Sequence, residues 1–516
     1  MATVSLSSSE GKWIMVSAIL ASAMAFIDAT ALNVVLSALQ HSLHATGADL
    51  FWLLNAYLLM LASLILIGGS LGDKLGRKKI FMTGIFIFII GSAACGFAPD
   101  VTFLIIFRVI QGIGGALMIP GSLSLISSSI DEKEKGKAIG TWSAFTTVVT
   151  IGGPVLGGAL ADAGLWRYIF FINVPIGLAA IFMLWTKVKE SKDEESDKSI
   201  DFPGAICIAV GLACLTFGFL RIPAIGFNDW EVRLALAAGI FLLTAFILIE
   251  KNGKHPMMPL HLFANATFSG ANLLTFFLYA GLGTGMLFLS LNLVQAQGYS
   301  QLQSGLTFLP FTLLMITIAR FAGGLADKYG PRWLLIIGPA TAGLGLLILS
   351  FIKQTNGPSD YWTTFFPGIL VFGLGMSLTV APLTASVMGS VHSNFSGTAS
   401  GINNALTRVA NVFANAIFGA LAVLFFSGSL QQQMNTKPFT VKDKQVIMAQ
   451  AIDLGNAKAP VSMAPADKTI VEKYYRMAFV DTYGQIMRIS AALGFLGALM
   501  AFIFIKDSGI KSRQQQ

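Results

Sequence analysis

Fourteen apolar runs, separated by polar segments, constrain this chain more than any other feature of its sequence. A helix needs about 20 mostly apolar residues to cross the hydrocarbon of a bilayer, so each run predicts one membrane-spanning helix. Only 12% of the residues are charged, against roughly 25% in soluble domains, and so lipid is the expected solvent. The predicted spans lie near residues 13–39, 50–71, 80–98, 101–127, 137–161, 168–186, 202–220, 232–250, 267–295, 303–325, 333–352, 363–388, 397–427 and 482–505.

A charged, glycine-bearing turn occurs twice in the chain. The sequence GSLGDKLGRKK at 69–79 follows the second span, and the weaker copy GGLADKYGPR at 323–332 follows the tenth. Two copies at this spacing predict two six-span halves plus two extra spans, and duplicated helical membrane proteins are usually transporters. We therefore predict an all-α polytopic membrane fold in three parts. These are an N-terminal six-helix bundle at 1–186, a cytoplasmic linker with two inserted spans and the loop after them at 187–266, and a C-terminal six-helix bundle at 267–516 with a long outer loop near 429–478.

The distribution of Lys and Arg predicts the orientation, because these residues accumulate on the cytoplasmic side of membrane proteins. Placing both termini in the cytoplasm leaves four of the 34 basic residues in short outer loops: Arg167, Arg221, Arg233 and Lys353. The same bias explains the net charge of +8. We expect no nucleic-acid partner, because no basic run is interleaved with aromatic residues.

Asp28 is the one acidic residue, of 26, that falls firmly inside a predicted span. A buried carboxylate is costly unless it is paired or protonated, so it is a candidate functional site. From the rise of 1.5 Å per residue, Asp28 lies roughly 16 Å and Arg108 about 10 Å from the outer ends of their spans, close enough to pair. The alternatives are a carboxylate that only bridges helices and an arginine bonded only to backbone carbonyls.

Two further stretches carry glycines where helices meet. Span five contains Gly153, Pro154, Gly157 and Gly158, which predict a hinge or a tightly packed seam, although similar runs also occur as plain kinks. In the repeated charged turn, an acid at the end of one helix can hold the N-terminus of a facing helix through its dipole.

Five stretches, in the right order, resemble motifs of the major facilitator superfamily, specifically its fourteen-span drug:proton antiporter branch. Segments 69–79, 104–114 and 153–158 are similar to the loop motif G-x-L-a-D-r-x-G-r-k-x, the fourth-span motif l-x-x-x-R-x-x-q-G-x-g and the antiporter motif G-P-x-x-G-G. Segments 27–34 and 166–177 are similar to the first-span signature and to the lead into span six.

The resemblance implies two pseudo-symmetric bundles that rock around a central cavity, driven by the proton gradient and without a cofactor. It implies that Asp28 and Arg108 couple transport to protons. It also implies a hinge in span five and a conformational latch in the charged turns, composed of Gly69, Asp73, Gly76, Arg77 and Asp327. The expected location is the bacterial inner membrane, and the expected form is a monomer. Two departures from the family pattern are Val149, where glycine is typical, and Ser37, where proline is usual.

Polar residues in other spans are candidates for the substrate site, although each is equally well explained as an interhelical hydrogen-bond partner. They are Asn33, Asn55, Tyr57, Gln111, Trp142, Asn272, Asn292, Gln295, Asn403, Asn404 and Arg408. Span thirteen carries only neutral or basic polar residues, so we expect monocationic, neutral or anionic amphiphiles rather than dications.

The leading prediction is a proton-coupled antiporter that exports amphiphilic small molecules or drugs by alternating access. One alternative is a dedicated exporter of a single endogenous solute, such as a siderophore, amino acid, lipid or metabolite. Another is a sensor or scaffold that keeps the fold without transport. An enzyme is not expected, because the sequence has neither a metal cluster nor a nucleophile–base pattern. Docking of an accessory periplasmic protein stays open.

Overall fold

The computed structural model describes residues 4–191, 201–253, 256–391, 396–435, 439–460 and 463–506. Its apolar runs are helical, since a helix satisfies its own backbone polar groups in lipid. The first nine helices are α1 (Ser9–Leu43), α2 (Gly47–Leu75), α3 (Arg77–Phe97), α4 (Val101–Ser129), α5 (Glu132–Asp162), α6 (Tyr168–Phe171), α7 (Asn173–Lys187), α8 (Phe202–Ile225) and α9 (Trp230–Asn252). The others are α10 (Ala266–Gln295), α11 (Gln301–Thr307), α12 (Leu309–Tyr329), α13 (Arg332–Leu349), α14 (Phe365–Gly389), α15 (Ser396–Met434), α16 (Val441–Ala449) and α17 (Pro465–Phe504).

Thirteen helical segments among the described residues are long and apolar enough to cross a membrane. The predicted tenth span is α11 followed directly by α12, and the predicted sixth span is α6 followed by α7. Helix α5, the predicted fifth span, is not among the thirteen, although it is 31 residues long. The count of fourteen spans therefore stays a prediction, as do the three parts proposed from the sequence.

The first compact unit contains Met1–Leu32, Trp52–Leu215 and Ala235–Leu260. Glycines bring its helices α3 and α4 into close contact. A Cβ atom on Gly84 would lie 2.7 Å from the backbone nitrogen of Met118, and one on Gly91 would lie 2.7 Å from that of Gln111. Small residues let membrane helices approach to this distance, so the α3–α4 pair is held by a glycine seam.

The second compact unit contains Asn33–Phe51, Thr216–Leu234 and His261–Gln516. Its helices α13 and α14 also pack through glycines. A Cβ atom on Gly375 would lie 2.6 Å from the carbonyl oxygen of Gly338, and one on Gly345 would lie 2.6 Å from the Cα of Phe372. Helix α13 follows the second charged turn as α3 follows the first, so the two units repeat the same packing.

The charged turns have the same backbone form in both units. Helix α2 ends at Leu75, Gly76 has φ = 114°, and α3 begins at Arg77. Helix α12 ends at Tyr329, Gly330 has φ = 86°, and α13 begins two residues later. Positive φ at both positions favours glycine, which explains why the second glycine of the motif returns in the weaker copy.

The connection predicted at 429–478 is shorter in the structure, because both flanking helices continue into it. Helix α15 runs to Met434 and α17 begins at Pro465. The described part between them forms α16 and a 3-10 helix at Gln450–Asn456. Stacking of Tyr475 on Phe426, with ring centroids 6.3 Å apart, holds the extended ends of α17 and α15 together.

Candidate functional site

The predicted pair of Asp28 and Arg108 is present in the first unit. The Arg108 Nη1 donates to Asp28 Oδ2 over 2.5 Å, and both side chains are almost completely buried. Gln111 completes the group, since its Nε2 donates to Asp28 Oδ1 over 2.9 Å and its Oε1 accepts from Arg108 Nη1 over 2.8 Å. Both carboxylate oxygens therefore have a donor, which is what a buried charge requires.

Tyr57 provides Arg108 with a second kind of contact. The guanidinium carbon lies 4.4 Å from the centre of the Tyr57 ring, within range of a cation–π interaction. Gly115 leaves room for the phenol, because a Cβ there would lie 3.1 Å from the Tyr57 oxygen. The Nε of Arg108 is buried and has no hydrogen-bond partner among the described residues. An unpaired buried donor costs about 1–3 kcal/mol, so this site is not fully satisfied in the present state.

Helix α5 packs against α1 next to Asp28. A Cβ on Gly153 would overlap the hydroxyl of Thr30, and a Cβ on Gly157 would lie 2.8 Å from the carbonyl oxygen of Ala31. Six residues before Asp28, Ser22 Oγ accepts a hydrogen bond from the Nε1 of Trp142 over 3.0 Å. The helix continues through Pro154. Of the four predicted hinge residues, Gly153 and Gly157 therefore lie in the surface of α5 that meets α1.

An acid far along the chain caps the helix that follows the first charged turn. The Glu190 carboxylate accepts hydrogen bonds from the backbone N–H groups of Lys78, over 2.9 Å, and Lys79, over 3.0 Å, at the start of α3. A Cβ on Gly76 would lie 2.7 Å from the carboxyl carbon of Glu190, so glycine makes room for the cap. The Arg77 N–H also donates to the Ser191 carbonyl over 2.7 Å, which ties the segment after α7 to the turn.

The other predicted latch residues are placed only in part. Gly69 lies inside α2, where a Cβ would be 3.8 Å from Pro120 Cβ, an ordinary contact distance. The side chains of Asp73 and Asp327 lie outside the described residues, and their predicted role in the latch stays a prediction.

Two predicted substrate residues in the second unit, Asn403 and Asn272, bond to each other. Asn403 Nδ2 donates to Asn272 Oδ1 over 3.1 Å and to Thr275 Oγ1 over 2.7 Å, which joins α15 to α10. Asn404 is exposed and donates to the Ser400 carbonyl over 3.0 Å, and Arg408 is half-buried on the same helix. The Asn403–Asn272 contact is the interhelical bond that the sequence left as an alternative to ligand binding.

Gln295 belongs to a polar cluster under the outer 3-10 helix. The Gln40 Oε1 accepts from Gln295 Nε2 over 3.1 Å and from Asn456 Nδ2 over 2.7 Å, and Gln40 Nε2 donates to the Asp453 carbonyl over 3.2 Å. Burial and the negative charge of Asp49 raise the pKa of Asp453 above its ordinary value. The described part of the connection between α15 and α17 therefore forms an ordered cap on the end of α1.

Three more predicted substrate residues have no hydrogen bond from the side chain among the described residues. Asn55 and Asn292 are fully buried, and both polar atoms of each amide lack a partner. Asn33 is half-buried on α1, five residues beyond Asp28. Buried amides without partners are uncommon, so Asn55 and Asn292 keep their standing as candidates for ligand contact.

The sequence missed the roles of two residues in these contacts. Gln111 lies three residues after Arg108, so both side chains share a face of α4, and that spacing could have placed it beside Asp28. Glu190 lies more than a hundred residues from the amides it caps. No local pattern indicates such a contact, because it depends on how the segment after α7 folds back.

The fold and the buried ion pair define a polytopic helical membrane protein whose two units share a repeated turn. The model of the Major Facilitator Superfamily matches residues 18–415, and the chain belongs to that family. It is a transporter by family and fold, not an enzyme.

Relatives of similar length carry names from drug resistance. The Tetracenomycin C resistance and export protein of Streptomyces glaucescens is 30% identical over 77% of this chain and 73% of its own length. The Multidrug resistance protein Stp of Mycobacterium tuberculosis is 31% identical over 85% and 81%. The Methylenomycin A resistance protein of Bacillus subtilis is 29% identical over 82% and 90%.

Solved structures share the fold at low sequence identity. A bacterial homolog of the human lysosomal transporter Spinster, in an inward-facing and unoccupied conformation, aligns with a TM-score of 0.64 and 19% identity over 96% of this chain and 98% of its own. The xylose transporter XylE from E. coli aligns with a TM-score of 0.58 and 16% identity over 96% of each chain.

Proposed function

We propose that this protein exports amphiphilic, drug-like small molecules across the plasma membrane in exchange for protons, by alternating access and without a cofactor. The observation that carries the proposal is the Asp28 carboxylate, buried within a membrane-spanning helix and bonded to both Arg108 and Gln111. The names of the relatives support a drug as the cargo. Both termini and the charged turns lie on the cytoplasmic side in this proposal, which follows the distribution of basic residues.

Asp28 is the group in this site that can exchange a proton during transport. Arg108 keeps its proton at all accessible pH values, so it cannot act as the carrier. When Asp28 takes up a proton, the ion pair loses its Coulomb attraction and one carboxyl oxygen becomes a donor. The contact between α1 and α4 is then weakened, so that uptake of a proton can change how these two helices pack.

Arg108 retains partners after Asp28 is neutralised. The Tyr57 ring and the Gln111 Oε1 both contact the guanidinium without involving the carboxylate. Its unpaired Nε is a donor that a new acceptor can use in another state of the cycle. The cation can therefore stay buried while Asp28 moves away, which avoids the cost of an isolated charge.

The cargo we expect is an amphiphile with at most one positive charge. Among the described residues, the polar side chains of α15 that the sequence assigned to substrate contact are amides and one arginine. A second positive charge on a ligand would meet no carboxylate among them. Uncharged amphiphiles and anions fit this set better than dications do.

Proton exchange in proteoliposomes tests the proposal. An imposed pH gradient is followed with a pH-sensitive dye while a panel of unrelated amphiphiles is added to wild type and to Asp28→Asn. Wild type should dissipate the gradient with several compounds, and Asp28→Asn with none. The same variant should still exchange labelled for unlabelled substrate in the absence of a gradient, because that exchange needs no proton.

Glu231→Gln is the matched control, since Glu231 forms an exposed ion pair with Arg221 at the ends of α8 and α9. It removes one carboxylate and should transport as wild type does. Normal gradient-driven transport by Asp28→Asn would show that the carboxylate is structural. If no compound dissipates the gradient with folded wild-type protein, the multidrug proposal fails and a single endogenous solute becomes the leading cargo.

A further inference from the structure

A polar cavity of about 430 Å³ lies between α15 and α17, at the end of the second unit away from the charged turn. Five of its lining residues are polar or charged: Ser429 and Gln432 on α15, and Asp481, Gln485 and Arg488 on α17. Leu424 forms part of its apolar wall. The cavity thus combines polar and charged side chains with an apolar wall.

The acid of this cavity, Asp481, already has two partners within the protein. The Asp481 carboxylate accepts a hydrogen bond from Ser429 Oγ over 3.0 Å and lies 3.4 Å from the Lys353 ammonium. The pair of Asp481 and Lys353 therefore adds little net charge to the cavity. The remaining charge of the cavity is the positive charge of Arg488.

Arg488 has most of its hydrogen-bonding capacity unused. Its Nε donates to the Gly484 carbonyl over 3.2 Å, while its two terminal nitrogens make no hydrogen bond within the described part of the chain. The amides of Gln485 and Gln432 likewise make no side-chain hydrogen bond to any described residue. The cavity therefore offers several donors around one uncompensated cation.

Arg488 is exposed and lies near the start of the predicted last span, 482–505. Gly484 packs against the carbonyl of Ser350, directly after the last residue of α13, and Arg488 is one turn further into the span. On the same face of α17, at helical spacing, follow exposed hydrophobic residues that a bilayer would cover: Phe495, Leu499 and Phe502. In a bilayer that covers these residues, Arg488 would lie near the level where lipid headgroups meet the acyl chains.

We propose that this cavity binds the phosphodiester headgroup of an amphiphile that enters from the adjoining leaflet. The planar guanidinium matches the paired oxygens of a phosphodiester, and the two glutamine amides add neutral donors. The hydrocarbon chains then run along the exposed apolar face of α17. Phospholipids of the bilayer and anionic amphiphiles exported by the protein share this headgroup chemistry.

Lipid titration of the purified, delipidated protein, followed by native mass spectrometry, tests the proposal. The probes are phosphatidylglycerol and a diacylglycerol with the same acyl chains, which lacks the phosphodiester. Wild type should bind one phosphatidylglycerol at least about tenfold more tightly than Arg488→Gln, the effect of losing a charged hydrogen-bond partner. Arg221→Gln is the matched control, because Arg221 is an exposed arginine near the end of α8 that is held by Glu231. It should bind as wild type does.

Equal affinity of wild type and Arg488→Gln for phosphatidylglycerol would refute the proposed binding site. Arg488 would then be an arginine that is only solvated by water. Equally tight binding of diacylglycerol would do the same. If Arg488→Gln does not fold, Gln485→Leu removes one donor while keeping the cation, and its weaker binding supports the site. An anionic dye that competes with phosphatidylglycerol in wild type identifies exported cargo as an occupant, and failure to compete identifies the bilayer lipid.

Discussion

The contact between α5 and α1 can be tested with two glycines of the same helix. A Cβ added at Gly157 would lie 2.8 Å from the carbonyl oxygen of Ala31 and 2.9 Å from its Cβ. A Cβ added at Gly152, five residues earlier, would meet no described atom within 4 Å. Gly157→Ala and Gly152→Ala therefore make the same chemical change in the same helix, and only one of them makes it against a neighbouring backbone.

The expected difference in stability follows from two opposing effects. Replacing glycine by alanine in a helix interior gains about 1 kcal/mol in either variant. Overpacking at Gly157 costs about 1–3 kcal/mol, because the backbone of α1 cannot rotate away as a flexible side chain could. Gly152→Ala should thus be as stable as wild type or more stable. Gly157→Ala should unfold with a free energy about 1–3 kcal/mol lower than Gly152→Ala.

Gly157→Ala should lower the rate of proton-coupled transport by more than its loss of stability accounts for. Ala31 lies three residues beyond Asp28, so a shift of α1 at Ala31 also moves the carboxylate relative to Arg108. Thermal unfolding in detergent and proton-coupled transport in liposomes should be measured for both variants. Equal unfolding temperatures and equal transport would show that the glycine seam does not constrain α1, and would refute the steric argument.

Two other predictions concern the ends of the helices. Glu190→Gln should weaken the cap on α3 by about 0.5–1 kcal/mol. The first N–H groups of α3 should then exchange hydrogen about two- to fivefold faster. The control Glu472→Gln, which changes an exposed carboxylate on α17, should leave these exchange rates unchanged. The raised pKa of Asp453 means that its neutral form is favoured when 450–456 is docked, so docking should be strongest at acidic pH and weaken as pH rises through the pKa. Protection factors of the amides in 450–456 should follow this trend in wild type and lose it in Asp453→Asn, and a flat profile in wild type would contradict it.

Much of the fold follows from the sequence because lipid imposes one solution on an apolar run. The length of each run predicts a helix, and the two charged turns predict the repeat that Gly76 and Gly330 form. The ends of the outer connection were predicted less well. Polar residues such as those at the end of α15 do not stop a helix that leaves the membrane, so hydropathy marks the bilayer boundary rather than the end of the helix.

For the candidate site, too, some contacts were predictable from the sequence and others were not. A lone acid in one span and a lone arginine at similar depth in another were enough to predict the Asp28–Arg108 contact. The partners of Gln295 were not predictable, because they involve the outer 3-10 helix, whose docking depends on tertiary structure. Contacts between residues at similar depth in two spans can be predicted from the sequence. Contacts that depend on how a connecting segment packs against the helices cannot.

Helix α1 is held by α4 and by α5 through contacts of different kinds. Asp28 meets Arg108 and Gln111 of α4 through polar contacts, whose strength depends on the charge of the carboxylate. Three residues further along α1, Ala31 meets Gly157 of α5 through a steric fit that no proton can alter. Uptake of a proton therefore weakens the contact with α4 and leaves the contact with α5 intact. The helix should then move together with α5 and away from α4, so a crosslink between α1 and α4 should block transport more severely than one between α1 and α5.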